Sequence, residues 1–282
     1  MIVARGKQPS VQRNAAIKAA HGELIYFLDD DARPTPESLR RAATHFADAG
    51  VKMVGGPNLC PKDAPWIEQL FAVVLGSFAL GPSRARYAQV GQVRQSSEKE
   101  LILCNLVARR ETMTELGGFD ESLYPNEENA LMDDIQKRGG KLIYDPNVIV
   151  ERRPRPTLRA FVKMLLTYGR GRAEQFRLHP TLGSALNFVP PLFCLYLIAL
   201  PVLGALMEWL AVVPLVAYLL GVLGQTLILI PRHGVARSIG ALPLIALTHV
   251  LYGLGFWRGL FTKLHSKATR PLVEVVLEQV RW

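Results

Sequence analysis

From Pro180 to Met207 the chain carries no charged side chain, and after Glu208 the same holds from Trp209 to Pro231. A third uncharged stretch, Ser238 to Trp257, is interrupted only by His249. Each is long enough to cross a hydrocarbon core of roughly 30 Å, which takes about 20 helical residues. Pro190, Pro191, Pro201, Pro214 and Pro243 would break soluble helices, yet membrane helices tolerate such breaks. A very apolar soluble core is the competing reading, and three such stretches in succession argue against it. The expectation is a multi-pass protein of the cell (inner) membrane with spans at 185–207, 210–230 and 239–261, within a region 185–263, and a tail at 264–282.

Lys and Arg number 33 against 24 Asp and Glu, a formal charge of +9. The approach to the first span holds Arg152, Arg153, Arg155, Arg159, Lys163, Arg170, Arg172 and Arg177. The positive-inside rule places this segment on the cytoplasmic side. Residues 154–184 read as a basic amphipathic stretch lying in the interface, where anionic lipid attracts it. No nucleic-acid motif accompanies the arginines, so membrane lipids rather than nucleic acid are the expected partner. Met1 to Gln12 lack the apolar centre of a signal peptide, which keeps residues 1–153 cytoplasmic. Arg232 and Arg237 in the link Pro231–Arg237 fit a cytoplasmic return. Lys263, Lys267 and Arg270 would then lie outside, so either one segment is re-entrant or the tail breaks the rule. Cys60, Cys104 and Cys194 have no metal spacing and receive no chemistry.

The N-terminal half reads differently. Leu24 to Leu28 is an apolar strand-forming run that delivers Asp29, Asp30 and Asp31 to its carboxyl end. In open α/β sheets ligands bind beyond the carboxyl ends of strands. Three adjacent carboxylates repel one another, and a hard divalent cation resolves that conflict. Asp29 and Asp31 can converge on one metal from a turn; a solvated acidic loop or a helix cap ahead of Pro34-Thr35-Pro36-Glu37 is the alternative. Helices are expected at 10–22 with Ser10 as cap, 36–49, 66–80, 110–116, 129–138 and 157–177. Strands are expected at 51–55, 100–107, 141–144 and 148–151, and a loop at 81–97. The order strand 24–28, helix, strand 51–55 predicts a parallel sheet.

Taken in order, several motifs resemble family 2 glycosyltransferases of the membrane-attached, polysaccharide-building kind. Gln12-Arg13-Asn14-Ala15-Ala16, with Ala20-His21-Gly22-Glu23, is similar to the helix before the metal strand. Leu28-Asp29-Asp30-Asp31 resembles the Asp-x-Asp motif. Val54-Gly55-Gly56-Pro57-Asn58 resembles the next strand and turn. Asn105 through Arg110 and Gly117-Gly118-Phe119-Asp120-Glu121 resemble the acceptor-side segment. Asn126-Glu127-Glu128-Asn129 stands where the family has its Glu-Asp pair. Tyr168-Gly169-Arg170-Gly171-Arg172 and His249-Val250-Leu251-Tyr252-Gly253 resemble blocks of membrane-bound members.

The resemblance implies a GT-A-like (Rossmann-like) mixed α/β sheet flanked by helices, followed by the helical membrane region. It implies inverting transfer of a sugar from a nucleotide-diphosphate-sugar donor to a lipid-linked or cell-envelope glycan acceptor, assisted by Mg²⁺ or Mn²⁺. Asp29 and Asp31 would hold the metal, and Arg13, Asp30, Arg170 and Arg172 would face the donor. Gly118, Phe119 and Asp120 would line the acceptor side. Glu128 would be the base and Glu127 its neighbour or alternate, with Glu-Glu in place of Glu-Asp leaving the choice open. The two arginines fit headgroup attraction equally well. Met164 and Thr167 stand where a Gln-x-x-Arg-Trp-type signature would have Gln and Arg, which weakens the case for processive polymerisation. His21 and His179 are expected to be ordinary polar residues.

The family's domain opens with about sixty residues that bind the base and ribose, and Met1 to Gly6 read as already at or beyond its third strand. The expectation is a domain truncated at its N-terminus, through a misplaced start or as a remnant, with the metal strand at a sheet edge. A catalytically inactive membrane scaffold derived from such an enzyme is the alternative function, and a metal-dependent phosphohydrolase using the Asp triplet is a third.

Overall fold

The computed structural model describes the chain apart from Met1, Lys7, Tyr124, His179, Thr181 and residues 265–275 and 280–282. His179, and with it much of the tail including Lys267 and Arg270, therefore lies outside the described residues. The chain divides into two compact units: Met1–Leu59 with Ala85–Arg152 and Lys263–Trp282, and Cys60–Arg84 with Arg153–Thr262.

The first unit runs β1 (Ile2–Arg5), α1 (Pro9–Ala19), β2 (Leu24–Leu28), β3 (Arg33–Pro34), α2 (Ser38–His45), β4 (Val51–Gly55) and β5 (Asn58–Leu59). Ser10 is not the cap of α1: Gln8 caps it and Pro9 takes the first turn, where a missing N–H costs nothing. In chain order there follow α3 (Trp66–Leu75) of the second unit, then β6 (Arg94–Gln95), β7 (Asn105–Arg109), α4 (Arg110–Glu115), α5 (Glu127–Lys137), β8 (Lys141–Tyr144) and β9 (Val150–Glu151).

The main sheet has the order β2-β7-β4-β8-β6. The expected parallel pairing of the two strands around α2 does not occur. β7 lies between β2 and β4 and runs antiparallel to both, while β4 pairs in parallel with β8. The reason is in the side chains: Leu106, Val107 and Ala108 of β7 are fully buried, as a central strand requires, whereas β2 is half-buried and stands at the sheet's edge. The strand also begins later than expected, at Asn105.

Alternation across these strands builds two core layers. Met53, Leu106, Ala108 and Leu142 face Ile17 of α1, Met113 of α4 and Leu131, Met132 and Ile135 of α5. Val54 and Val107 face the opposite way, with Ala42 of α2, Phe46 and Val148. Helices thus flank a mixed sheet on both faces. A second small sheet, β3-β9-β5, sits beyond the carboxyl end of β2. Gly55 and Gly56 permit a close crossing there, since a Cβ on Gly56 would collide with the carbonyl oxygens of Val148 and Asp145.

The second unit contains α3, α6 (Leu158–Leu178), α7 (Val189–Met207), α8 (Val213–His233) and α9 (Val235–Phe261); β10 (Val276–Gln279) pairs with β1 in the first unit. The helix expected through residue 80 stops at Leu75 and bends by 103° into a 3-10 segment, Phe78–Arg86, which takes the first residues of the expected 81–97 loop. α7 and α8 fold back on each other. The Tyr196 hydroxyl donates to Ala211 O and accepts from Leu215 N–H, and the Phe193 and Tyr218 rings lie 4.3 Å apart. The expected link Pro231–Arg237 shrinks to Gly234, whose φ of 80° joins α8 to α9.

α6 and α9 approach closely. A Cβ on Gly169 would strike the Tyr252 carbonyl, one on Gly255 the Leu166 carbonyl, and one on Gly259 the Arg170 carbonyl. Small residues at a helix crossing allow such approach in membrane proteins. The runs Ala185–His233 and Val235–Phe261 are long and apolar enough to cross a membrane, and Ile198, Leu206 and Leu220 are among the large apolar side chains exposed along them. These helices associate the protein with a membrane, because water would not tolerate so broad an apolar surface.

Candidate active site

The acidic run forms a tight turn at the end of β2, closed by Ala32 N–H donating to Asp29 O at 3.0 Å. Asp29 and Asp31 both turn toward Arg152. Its Nη1 lies 2.8 Å from Asp29 Oδ2 and its Nε 2.5 Å from Asp31 Oδ1. Asp30 points outward and is exposed. Strand register creates this arrangement: Arg33 of β3 pairs with Glu151 of β9, so the residue after β9 arrives beside the turn. Arg152 N–H is itself tied to Leu59 O at 2.9 Å. Burial alone would lower the guanidinium pKa, but Asp29 and Asp31 outweigh it and raise it.

Beneath the turn, Asn105 is fully buried, with Nδ2 donating to Pro57 O and Val148 O while Oδ1 accepts from the Tyr26 hydroxyl. Cys104 sits beside Arg152, and burial pushes its thiol up to about 11, which keeps it protonated and unreactive.

Glu127 and Glu128 open α5, where the helix dipole favours negative charge. They are not equivalent. Glu127 is 3 % exposed and pairs through Oε1 with Arg13 Nη1 of α1 at 2.5 Å, while its Oε2 has no hydrogen-bond partner among the described residues. Burial, and then the charge of Glu128, push the Glu127 carboxyl up to about 7. Glu128 is half-buried and accepts from Asn129 Nδ2 at 3.1 Å. Asn126, just before them, is held in the left-handed region at φ 88°, and its buried Nδ2 also lacks a partner. Strain and unsatisfied polar atoms concentrate at functional sites.

The segment Gly118-Phe119-Asp120 is built into the core. Phe119 is 2 % exposed and meets Phe27 edge-on at 5.4 Å. Gly118 has φ 80°, and a Cβ there would collide with Asn14. Asp120 Oδ1 accepts from the backbone and hydroxyl of Ser122. Arg170 and Arg172 belong to the second unit. Arg170 Nε lies 3.4 Å from Glu174 Oε1, and the buried Arg172 donates to Gln175 Oε1 at 3.1 Å. His21 is exposed, as an ordinary polar residue would be. His249 is a packing residue: Nδ1 meets the Tyr218 hydroxyl and Nε2 meets Ala79 O, each at 2.9 Å.

Sequence reasoning missed Arg152, which it grouped with the basic approach to the membrane. The strand immediately before it was the available signal. It also missed Asp145, a buried carboxylate bound by Arg41 and His45 at 2.9 and 2.8 Å.

Residues 24–229 match the family model described as glycosyl transferase family group 2. The chain belongs to that family. The matched range runs from β2 and its acidic turn through the Glu127-Glu128 pair and into α8. Among curated relatives, the pre-mycofactocin glycosyltransferase of Mycobacterium tuberculosis is 25 % identical over 174 residues, covering 62 % of this chain and 36 % of that protein. The succinoglycan biosynthesis protein ExoA of Rhizobium meliloti is 28 % identical over 182 residues, covering 64 % of this chain and 52 % of that one. The matches therefore span about a third to a half of those relatives. A solved mannosyltransferase from Pyrobaculum calidifontis, in complex with GDP-Man and Mn²⁺, superposes with a TM-score of 0.49 at 18 % identity over 91 % of this chain and 67 % of that one, a likeness too slight to carry a role across.

Among the described residues no three His, Cys, Asp or Glu side chains gather as a metal site. Asp29 and Asp31 nevertheless fit a shared site, because their oxygens already converge on one cationic group. Mg²⁺ is commonly held by one or two carboxylates, with substrate phosphates completing its shell.

Proposed function

We propose that the chain is a glycosyltransferase moving a sugar, with inversion, from a nucleotide-diphosphate sugar to a hydroxyl of a lipid-linked or cell-envelope glycan. The first unit is the catalytic part and works at the cytoplasmic face of the inner membrane, with α7, α8 and α9 as its spans. Family membership supports the reaction class. The single observation that carries the site assignment is the convergence of Asp29 and Asp31 on one cation at the carboxyl end of β2.

A divalent cation, Mg²⁺ or Mn²⁺, would neutralise charge developing on the leaving diphosphate when bound at Asp29 and Asp31. Asp30, exposed in the same turn, is left to face the donor. Glu128 takes the proton of the acceptor hydroxyl, since it is the more accessible carboxylate of the pair. Glu127, buried and anchored by Arg13, fixes the start of α5 and so the position of its neighbour. Gly118 and Asp120 act through the backbone turn they form on the acceptor side, and Phe119 through the core. Arg170, half-buried on α6, meets the phosphate of a lipid headgroup, while Arg172 is buried beside Gln175.

The test compares sugar transfer by Glu128→Gln and Glu127→Gln proteins in membranes supplied with labelled nucleotide sugars. Loss of a general base costs on the order of 10²–10⁴ in rate. A loss of that size in Glu128→Gln, with a smaller one in Glu127→Gln, supports the assignment. The reverse order moves the base to Glu127.

A further inference from the structure

We propose that Arg152 is a built-in counter-cation that holds Asp29 and Asp31 together in the metal-free protein and gives them up when a divalent cation binds. This rests on the assignment of Asp29 and Asp31 as metal ligands, and it adds a residue that assignment did not contain. Three successive aspartates in one turn would otherwise repel one another and splay apart. One planar guanidinium, with donors fixed in a fork, spans two of them at 2.8 and 2.5 Å. Its backbone is held beside the turn: β9 is paired on both sides, by β3 and β5, and the Arg152 N–H is bound to Leu59 O. Both carboxylates are thus turned to one cation, and the arginine and a metal compete for the same oxygens. Arg152 is a positioning residue in this scheme, acting on the aspartates.

The competition has a sign that a merely structural role lacks. Removing the guanidinium leaves the carboxylates uncompensated, so they hold a divalent cation more tightly. Unit charges about 4 Å apart interact strongly even at intermediate dielectric, and Arg152→Gln is expected to tighten Mn²⁺ binding at least about fivefold. Arg152→Lys, which keeps the charge but cannot span both aspartates, should fall between. Mn²⁺ affinity is read by electron paramagnetic resonance on the full-length chain in detergent, with no donor present. Unchanged or weaker Mn²⁺ binding in a folded Arg152→Gln protein overturns the proposal.

A second measurement uses the unaltered chain. Phenylglyoxal modifies accessible arginines, and mass spectrometry of the Arg152 peptide reports its protection. Addition of Mn²⁺ should raise modification of Arg152, because its carboxylate partners are withdrawn; equal or greater protection contradicts the scheme. Asp29→Ala separates the two claims. If Mn²⁺ binds through Asp29 yet ignores Arg152→Gln, only the counter-cation role fails. If Mn²⁺ binds identically with and without Asp29, the metal assignment fails as well.

Discussion

Asn14 grips the backbone of Phe119 with both ends of its amide: Nδ2 donates to the carbonyl at 2.9 Å, and Oδ1 accepts the N–H at 2.8 Å. The same Nδ2 reaches Glu121 Oε1 at 2.9 Å, so one side chain on α1 fixes the turn that leads toward α5. Buried hydrogen bonds contribute about 1 kcal/mol each, and an orphaned partner costs about 1–3. Asn14→Ala is expected to lower stability by roughly 2–4 kcal/mol on that basis. Thermal unfolding in detergent measures it; a loss under about 0.5 kcal/mol, the size of an ordinary surface change, would show that the grip is dispensable.

Much of the first unit was legible in the sequence because its cues are local. Leu24–Leu28 and its aspartates, the strands at 51–55 and 141–144 and the helix ends before Gly117 and Gly139 appeared close to where the residues placed them, while the strand expected from Glu100 began only at Asn105. Sheet order was not legible. That β7 inserts between β2 and β4 follows from the burial of Leu106 to Ala108 against partners far away in sequence, which no local pattern encodes. Arg152 was hidden for a related reason: its role comes from the β3–β9 register, while its neighbours Arg153 and Arg155 suggested a headgroup role. The blocks Tyr168–Arg172 and His249–Gly253 were legible only as a resemblance to membrane-bound members; Gly169 serves the crossing of α6 on α9, and Gly253 the approach of α9 to Pro190 and Cys194 of α7.

That crossing gives a second prediction. Gly255→Ala places a methyl against the Leu166 backbone, which cannot yield as a flexible side chain would. Overpacking of this kind costs about 1–3 kcal/mol. Gly204 and Gly221 have open space around their Cβ positions, so alanine there should be neutral or stabilising by up to about 1 kcal/mol. Equal melting shifts at all three positions would show that the close approach does not limit stability.

Glu127 provides a pH dependence of stability. Its carboxyl rises from 4.5 to about 7 through burial and the charge of Glu128, against the opposing effect of Arg13. Between those values the folded chain keeps a proton that the unfolded chain has released. Stability therefore falls as pH rises through this window. Glu127→Gln removes the titration, and its melting temperature should change less than the parent's between about pH 5 and pH 7.5. Identical slopes would place the proton elsewhere.

Asp145 has the opposite sign. Burial raises its pKa, but hydrogen bonds from His45, the Asn147 N–H and Arg41 outweigh that and lower it below the ordinary 3.8. Its contribution is present above the unfolded value and is lost as pH falls through the folded one. Asp145→Asn should be less stable at neutral pH and flatter in acid; an unchanged acid profile would remove Asp145 from the account.

The most direct measurement is sugar transfer from labelled nucleotide sugars by membranes carrying this chain, with EDTA and then with Mn²⁺ or Mg²⁺ restored. The account predicts transfer that EDTA abolishes, that the cation restores, and that Asp29→Ala and Asp31→Ala each eliminate in either condition. Transfer that persists in EDTA and in both variants would contradict it, leaving the acidic turn a structural feature held by Arg152.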